Sequence, residues 1–422
     1  MIRVEAGTVS TALTLLIGNI FAIAVIAFAS LVGFMWLAPA IVAAVVICIW
    51  GLTRPLEFGV GLMIVGPVLL STIRISSLTG DNIAVLLGCC YLLFWITRTR
   101  GVRFSALMVL PCTIALAVVI SGLVNDVPFL QVGVRFSSLI LLTLCAPFVR
   151  RGVLMRIIRI VLLVGIFSIF LQTATRFIQP FYDADGSVRY GGLMGHPNFG
   201  SYLIGSYIIY IMVGKRLSKV DISICVLGLI AMLLAASQTA LLVLAAIGVL
   251  ILLRQPVRLL IAGGLVASAV AILGSTFLDR VLPFLESGSL ASSSSGSWRL
   301  SQWQSALNLV EFPNLFGIGW QQTKVQIGDG LGAHSGYVTA YVELGLVGCV
   351  FVAFGLFFVF VATKRSTGAL FLWLYILICS VTDPVVFYPS CIALALLISI
   401  VDWNGRPAIV DEACGRSQMV KI

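Results

Sequence analysis

The sequence predicts an all-α integral membrane protein: a bundle of 12–14 transmembrane helices with one large extracytoplasmic loop that contains short amphipathic helices. Of its 422 residues, 60% are hydrophobic and only 10% are charged, with a mean hydropathy of +1.13. Soluble domains carry about 25% charged residues. Apolar runs recur along nearly the whole chain, and many approach the ~20 residues that span a bilayer. Because backbone polar groups inside a bilayer must bond to one another, these runs are predicted to be helices.

Fourteen stretches are candidate spans, and several are short enough that 12 or 13 crossings also fit the pattern. They are 11–31, 33–50, 56–72, 81–97, 104–124, 135–149, 156–176, 198–213, 220–236, 238–253, 258–276, 336–362, 368–382 and 384–401. No soluble domain interrupts them, so residues 1–422 are predicted to form one membrane domain.

The distribution of Lys and Arg between the spans predicts the orientation. With the N-terminus in the cytoplasm, 19 of the 26 basic residues fall in cytoplasmic segments. This bias follows the positive-inside rule. We therefore expect both termini to be cytoplasmic, residues 402–422 to form a cytoplasmic tail, and the loop 277–335 to face outward. The same distribution argues against nucleic acid as a partner, since the positive charge does not gather on one soluble surface.

The outward loop is the one long polar part of the sequence. Residues 287–297 are rich in Ser and Gly and are predicted to form a flexible linker. Residues 298–311 are predicted to form an amphipathic helix that ends before Pro313. Its apolar positions are expected on one face, lying in the membrane interface or packed on the top of the bundle: Leu300, Trp303, Leu307 and Val310. Glycines then allow sharp turns: Gly317, Gly319, Gly328, Gly330 and Gly332.

Four polar residues on the outward side form the candidate site. Both histidines of the chain, His196 and His334, lie there together with Arg189 and Arg299. A histidine can take a proton from a hydroxyl near neutral pH, and an arginine offers a planar pair of donors that suits phosphate oxygens. The residues present show no metal-ligand spacing, and neither a metal nor another cofactor is expected. This combination favours attack of a hydroxyl on a carbon that bears a phosphate or pyrophosphate leaving group.

The order of motifs from 297 to 348 resembles the O-antigen ligase and polymerase family of bacterial envelope proteins. An arginine and a tryptophan-containing helix precede a segment in which Pro313 is followed by the G-x-G of Gly317 and Gly319. An H-x-x-Y segment, His334 and Tyr337, then leads into the E-L-G-L-x-G segment from Glu343 to Gly348. A second similarity is the R-x-x-G…P-N segment, from Arg189 to Asn198.

The resemblance implies a glycosyltransferase of the bacterial inner membrane that works on the periplasmic side without nucleotide sugar or metal. Its donor would be a glycan on undecaprenyl pyrophosphate. In this picture His334 activates the acceptor hydroxyl for inverting attack, Arg299 holds the pyrophosphate, and Arg189 assists. The acceptor would be another glycan for a polymerase or lipid A core for a ligase, with a chain-length regulator as a further partner.

Other residues on or near this side are supporting candidates: Glu343, Tyr337, Tyr341, Arg280, Lys324, His196 and Gln238. His334 and Tyr341 are expected near one helical face, with Tyr337 close by. Glu343 is expected to pair with an arginine, with direct catalysis as the alternative. Asp383, beside Pro384 in a turn, is interpreted as structural.

Position 238 departs from the family pattern. Many members carry Ser-Arg at the tight outward turn between two spans, whereas this chain has Ser237-Gln238. If that arginine binds pyrophosphate in relatives, Arg189, Arg280 or Lys324 must compensate for it here.

The leading interpretation is a polymerase that joins lipid-linked repeat units of an exopolysaccharide or O-antigen. A ligase that transfers a finished glycan to lipid A core is the nearest alternative. A flippase for lipid-linked oligosaccharides is an alternative of another class, disfavoured because a transporter places its polar groups near the membrane midplane.

Overall fold

The structure is a computed structural model that describes residues 51–70, 74–75, 78–99, 102–175, 180–182, 188–213, 218–252, 294–328 and 332–404. Several predicted features lie outside these residues: the spans 11–31, 33–50 and 258–276, the linker residues 287–293, Gly330, Arg280 and the tail beyond residue 404.

The described part is almost entirely helical. In chain order the helices are α1 Pro55–Leu69, α2 Gly80–Thr99, α3 Val109–Val124, α4 Leu130–Cys145, α5 Arg151–Thr175, α6 Pro197–Val213, α7 Lys219–Leu234, α8 Gln238–Leu252, α9 Ser294–Leu307, α10 Gln322–Gln326, α11 Gly336–Thr363, α12 Thr367–Cys379 and α13 Pro389–Asn404. Two short antiparallel strand pairs, with two residues in each strand, lie between helices: β1 Arg74–Ile75 pairs with β2 Leu78–Thr79, and β3 Phe181–Tyr182 pairs with β4 Val188–Arg189.

The predicted fold class is confirmed. Each of the eleven predicted spans within the described residues corresponds to one helix. Four described segments are long and apolar enough to cross a membrane unaided: Gly80–Thr99, Ala106–Val124, Arg151–Thr175 and Gly336–Thr363. Shorter apolar helices, among them α1, α8, α12 and α13, accompany them. The chain is a multi-pass membrane protein.

Three predicted span boundaries were wrong. The span placed at 156–176 is α5, which begins five residues earlier at Arg151. The span placed at 135–149 is α4, which begins five residues earlier at Leu130. Arg135 lies within this helix because Asp81 and Asn82 bind its guanidinium. The span placed at 384–401 is α13, which begins only at Pro389. The residues before it form a turn and a 3₁₀ helix, stabilised by a hydrogen bond from the Val386 N–H to the Ser380 hydroxyl.

Helix α13 lies at the centre of the bundle. Every residue from 390 to 401 is buried, as expected for a helix that is apolar on all sides. It contacts α1, α4, α5, α6 and α12. The loop that leads into α13 therefore emerges in the middle of one end of the bundle. We call this the site end; α2, α6, α8 and α11 also begin there.

Helix α11 is kinked where its sequence carries the E-L-G-L-x-G segment. Gly345 has φ 70° and ψ −172°, so the segment predicted as one straight span contains a break. The loop 313–319 docks on this break: the Ile318 N–H donates to the Val342 carbonyl and the Leu346 N–H to the Asn314 carbonyl. A Cβ at Gly345 would overlap the Leu315 carbonyl. The two glycine motifs thus form one joint between loop and helix.

The amphipathic helix differs from its prediction. It runs from Ser294 to Leu307, so residues 294–297 belong to it and not to a linker, and it ends before Pro313 is reached. Gly296 and Ala306 are buried in this helix, while Leu300 and Leu307 are exposed. Leu300 and Leu307 therefore do not pack on the top of the bundle, and their position in the membrane interface stays a prediction. Trp303 instead turns its indole towards the protein and donates to the His334 carbonyl over 3.4 Å.

Candidate active site

Asp383 is the centre of a polar cluster at the site end of the bundle. It lies between α12 and α13 and is only 2% exposed. Its carboxylate contacts four polar side chains, contributed by three separate segments: His334, Arg299, Asn198 and Tyr202. Because an unpaired buried carboxylate is costly, such complete pairing makes Asp383 the residue around which the cluster is ordered.

His334 approaches Asp383 through one ring nitrogen. Nδ1 of His334 lies 3.3 Å from Oδ1 of Asp383. The junction of α11 with α12 brings them together, because the Gly336 N–H donates to the Ser380 carbonyl over 2.7 Å. With Nδ1 protonated and donating to the carboxylate, Nε2 is left as the basic nitrogen. Nε2 is buried and has no hydrogen-bond partner among the described residues.

The backbone at His334 is unusual. Its φ of 48° lies in the left-handed region, which costs a non-glycine residue about 1–2 kcal/mol. His334 precedes α11, whose N-cap is Ser335, so the expected common helical face with Tyr341 was wrong. The Trp298 ring packs edge-to-face on the imidazole, with 4.7 Å between centroids. Strained residues that the surroundings hold in place cluster at functional sites.

Arg299 lies on the other side of Asp383. Its Nη2 is 3.8 Å from Oδ2 of Asp383, and its Nη1 donates to the Thr239 hydroxyl over 3.3 Å. Thr239 is in the first turn of α8 and also accepts a hydrogen bond from Thr382. The predicted pair of His334 and Arg299 therefore meets at one carboxylate, although 35 positions separate the two residues in the sequence.

Arg189 lies behind the cluster and is 8% exposed. Its Nε donates to the Ala235 carbonyl over 2.9 Å, and its Nη2 donates to the Asn198 side-chain oxygen. Asn198 in turn donates to Oδ2 of Asp383 over 3.1 Å. Tyr202 is one helical turn further along α6 and donates to the same oxygen. Arg189 thus reaches the cluster through Asn198.

These contacts set the charge of Asp383. Burial alone raises its pKa, but the hydrogen bond from His334, the charge of Arg299 and the hydrogen bond from Tyr202 favour the carboxylate more strongly. The pKa of Asp383 consequently lies below its ordinary value of 3.8. The cluster therefore has a fixed negative charge at its centre at neutral pH.

A cavity of about 360 Å³ opens beside the cluster. His334 and Asp383 line it, together with two further residues proposed from the sequence, His196 and Lys324. Part of its wall is apolar and is supplied by α1, α2, α4 and the 3₁₀ turn before α6: Met63, Val85, Leu139 and Met194. Arg135 and Asp81 line it as well. Arg299 and Arg189 are not among the lining residues.

Glu343 has a different role from the expected pairing with an arginine. It is 2% exposed, and its carboxylate accepts the Gln321 N–H over 2.8 Å and the Thr323 hydroxyl. Both partners belong to the loop that docks on α11. The prediction of an arginine partner was therefore wrong. Through these two hydrogen bonds, Glu343 links α10 and the residue before it to α11. Glu343 does not line the cavity.

The remaining supporting candidates make contacts outside the cluster around Asp383 or at its edge. Tyr337 donates its hydroxyl to the Leu377 carbonyl, and Tyr341 packs on the small cluster that includes Ala306 and Val342. Nδ1 of His196 accepts the Asn198 N–H over 3.3 Å, which caps the start of α6. Gln238 begins α8, next to Thr239. Tyr337, Tyr341 and Gln238 do not line the cavity.

Sequence reasoning missed Asp383 as a site residue. Its interpretation as a turn residue did not include the contacts from three separate segments. The signal was a lone carboxylate between two apolar helices, since a buried charge is kept only where it is paired. Asn198 stood inside the quoted P-N motif, and Tyr202 follows it at a spacing of four residues on the same helix face. Arg135 and Asp81 had no signal beyond their predicted position at span ends.

The arrangement suits proton transfer and anion binding. A carboxylate orients an imidazole whose second nitrogen has no hydrogen-bond partner in the described part of the chain, and the Arg299 guanidinium lies 3.8 Å from the same carboxylate. Within the described ranges, no group of three or more His, Cys, Asp or Glu residues is placed to hold a metal ion.

Comparison with known proteins identifies the central part of the chain. Residues 223–353 match the Wzy_C family model, described as O-antigen ligase. The matched segment begins in α7 and ends within α11, so it contains Arg299, His334 and Glu343. A search of curated proteins finds no match. Over this segment the chain is similar to the O-antigen ligase family, as the sequence motifs indicated, and its apolar helices are those of a multi-pass membrane protein.

Proposed function

We propose that the protein is a polymerase that joins oligosaccharide repeat units carried on undecaprenyl pyrophosphate, at the periplasmic face of the bacterial inner membrane. The observation that carries this proposal is the state of His334: Asp383 holds Nδ1, and Nε2 is buried beside the cavity with no hydrogen-bond partner among the described residues. A buried polar atom without a partner is costly. An acceptor hydroxyl in the cavity would satisfy it.

In the proposed reaction, Nε2 of His334 takes the proton of the acceptor hydroxyl as its oxygen attacks the anomeric carbon of the donor glycan. The bond from that carbon to the pyrophosphate oxygen breaks, and its electron pair leaves with undecaprenyl pyrophosphate. The new glycosidic bond forms on the opposite side of the carbon, so the configuration inverts. Asp383 stabilises the imidazolium that results, as the aspartate of a catalytic triad does.

The leaving pyrophosphate needs cations. Arg299 has N–H groups beyond its contacts to Asp383 and Thr239, and its side chain is 19% exposed. Lys324 lines the cavity from α10. We assign the pyrophosphate to these two residues, because charge that develops on a leaving group is stabilised by fixed cations. Arg189, which is committed to Asn198 and the Ala235 carbonyl, acts in this proposal as a positioning residue.

The test is glycan synthesis in a deletion strain that expresses variants. His334→Ala and Arg299→Ala should reduce polymer by at least ~100-fold, which is the lower range for loss of a general base, while membrane levels of protein stay normal. Arg365→Ala is the matched control: this exposed arginine lies beyond the other end of α11 and should leave synthesis unchanged. Normal polymer from both site variants would refute the assignment.

The products in the deletion strain separate a polymerase from a ligase. Loss of a polymerase leaves single repeat units on the carrier or on lipid A core, whereas loss of a ligase leaves long chains on the carrier lipid. Loss of a flippase would leave single repeat units that face the cytoplasm. A gel of the glycan separates single repeat units from long chains. Spheroplasts treated with a membrane-impermeant glycosidase then show whether single units face outward or the cytoplasm.

A further inference from the structure

Two ion pairs of the same kind lie in different parts of the bundle and differ in how completely they are satisfied. Near the end opposite the site, Arg159 on α5 donates to both carboxylate oxygens of Asp221 over 2.8 Å. Tyr207 and Ser218 also donate to that carboxylate. Every oxygen of Asp221 is therefore occupied, as expected for a pair that serves only packing.

The pair of Arg135 and Asp81 is incomplete by comparison. Nη2 of Arg135 lies 2.9 Å from Oδ2 of Asp81. The second oxygen, Oδ1, is buried and has no hydrogen-bond partner among the described residues. Asp81 as a residue is 8% exposed. A buried carboxylate oxygen without a donor costs free energy that a packing role does not recover.

Arg135 also retains unused donors. Its Nε and Nη2 donate to the Asn82 side-chain oxygen over 3.3 Å and 3.0 Å. Nη1 makes no hydrogen bond within the described part of the chain, and the side chain is 34% exposed. Within the part of the chain that the structure describes, an acceptor without a donor and donors without an acceptor thus lie side by side. Both residues line the cavity that His334 and Asp383 line.

We propose that Asp81 and Arg135 form a saccharide subsite that binds neighbouring hydroxyl groups of a sugar of the substrate glycan. One sugar hydroxyl donates to Oδ1 of Asp81, and a neighbouring hydroxyl oxygen accepts from Nη1 of Arg135. The pair selects for a sugar with two free adjacent hydroxyls and thereby positions the glycan relative to His334. This inference deepens the proposed function and rests on it.

The charges favour a neutral sugar over a phosphate at this position. Asp81 already neutralises Arg135, so the pair has no net charge. An incoming anion would meet the unpartnered carboxylate oxygen, and like charges at close range repel. A hydroxyl can donate to that oxygen. The apolar cavity wall beside the pair, which includes Val85 and Leu139, suits the C–H face of a sugar ring.

The test measures binding of two separate probes to the full-length protein in nanodiscs. One probe is the oligosaccharide repeat unit released from its lipid by mild acid, which carries no pyrophosphate; the other is inorganic pyrophosphate. Asp81→Asn and Arg135→Lys should each raise the Kd for the oligosaccharide by about tenfold, the loss expected for one hydrogen bond to a charged group. The Kd for pyrophosphate should change less than about twofold, well under one such bond.

Asp221→Asn is the matched control, because it breaks the comparable ion pair away from the cavity. It should lower thermal stability and leave both Kd values unchanged. If Asp81→Asn and Arg135→Lys behave in the same way as Asp221→Asn, the pair serves only packing and the proposal is overturned. Loss of pyrophosphate binding with retained oligosaccharide binding would overturn it in favour of an anion site.

Failure of the proposed function gives a different result. His334→Ala should abolish transfer and retain oligosaccharide binding. If the wild-type protein transfers no glycan but binds the oligosaccharide in a manner that depends on Asp81, the polymerase proposal fails and the subsite stands. If Arg135→Lys and Asp81→Asn bind the oligosaccharide as the wild type does, the subsite fails whatever the outcome for transfer.

Discussion

Nδ1 of His334 lies 3.3 Å from Oδ1 of Asp383, although 49 positions separate the two residues. The other oxygen of the carboxylate accepts from Asn198 and Tyr202 and faces Arg299. Three residues besides His334 therefore hold the carboxylate in place. It fixes which ring nitrogen carries the proton and how the ring is oriented.

Asp383→Asn tests this relationship. The amide keeps the shape of the carboxylate but removes the negative charge, and it allows the wrong imidazole tautomer. We expect transfer to fall by roughly 10³–10⁴-fold, as in triads whose aspartate is replaced by asparagine, with glycan transfer by purified protein as the measurement. Asp402→Asn, which alters a carboxylate bound by Tyr210 and Ser366 away from the cavity, is the control. Equal loss in both variants would indicate a general folding defect.

The charge of Asp383 also predicts a dependence of stability on pH. Its pKa is lower in the folded protein than the ordinary value of 3.8. Proton binding is therefore weaker in the folded state, so the ionised carboxylate contributes stability that is fully present above about pH 4 and is lost as pH falls through the folded pKa. The difference in Tm between wild type and Asp383→Asn should be constant above pH 4 and shrink at lower pH. A difference that stays constant in acid would contradict this account.

Gly345→Ala tests the joint between the loop and α11. At φ 70° a Cβ would be strained and would overlap the Leu315 carbonyl. We expect a loss of about 1–3 kcal/mol of stability, with lower transfer because the loop also carries His334. Thermal unfolding in detergent measures the first effect. Gly61→Ala is the control, since nothing lies within 4 Å of the added methyl in α1. An unchanged Tm for Gly345→Ala would show that the joint is not strained.

Arg189 and Arg299 should respond differently to replacement by lysine. Arg189 is buried and its guanidinium joins Asn198 to the Ala235 carbonyl, which a lysine cannot do with one ammonium. Arg189→Lys should lower Tm and reduce kcat without a specific rise in donor KM. Arg299→Lys should retain Tm and raise donor KM. The reverse pattern would place the pyrophosphate at Arg189.

The sequence alone determined the fold class and most of the helices. Apolar runs of this length must form helices in a bilayer, whatever their neighbours are. It also indicated His334 and Arg299, because a base and a cation stood out in the polar loop of an apolar chain. The glycines at 317, 319, 328 and 332 were correctly predicted to be turn positions, and each has positive φ.

The tertiary structure decided which polar groups meet. Asp383, Asn198 and Tyr202 are unremarkable in their own segments, and only the packing of α6 against α12 brings them together beside His334. The same holds for Asp81 and Arg135, which lie on α2 and α4. Hydropathy reports how each segment interacts with lipid, whereas contacts between segments depend on packing that no local pattern records. For that reason the sequence led us to expect an arginine as the partner of Glu343, whereas in the structure its carboxylate accepts hydrogen bonds from Thr323 and Gln321.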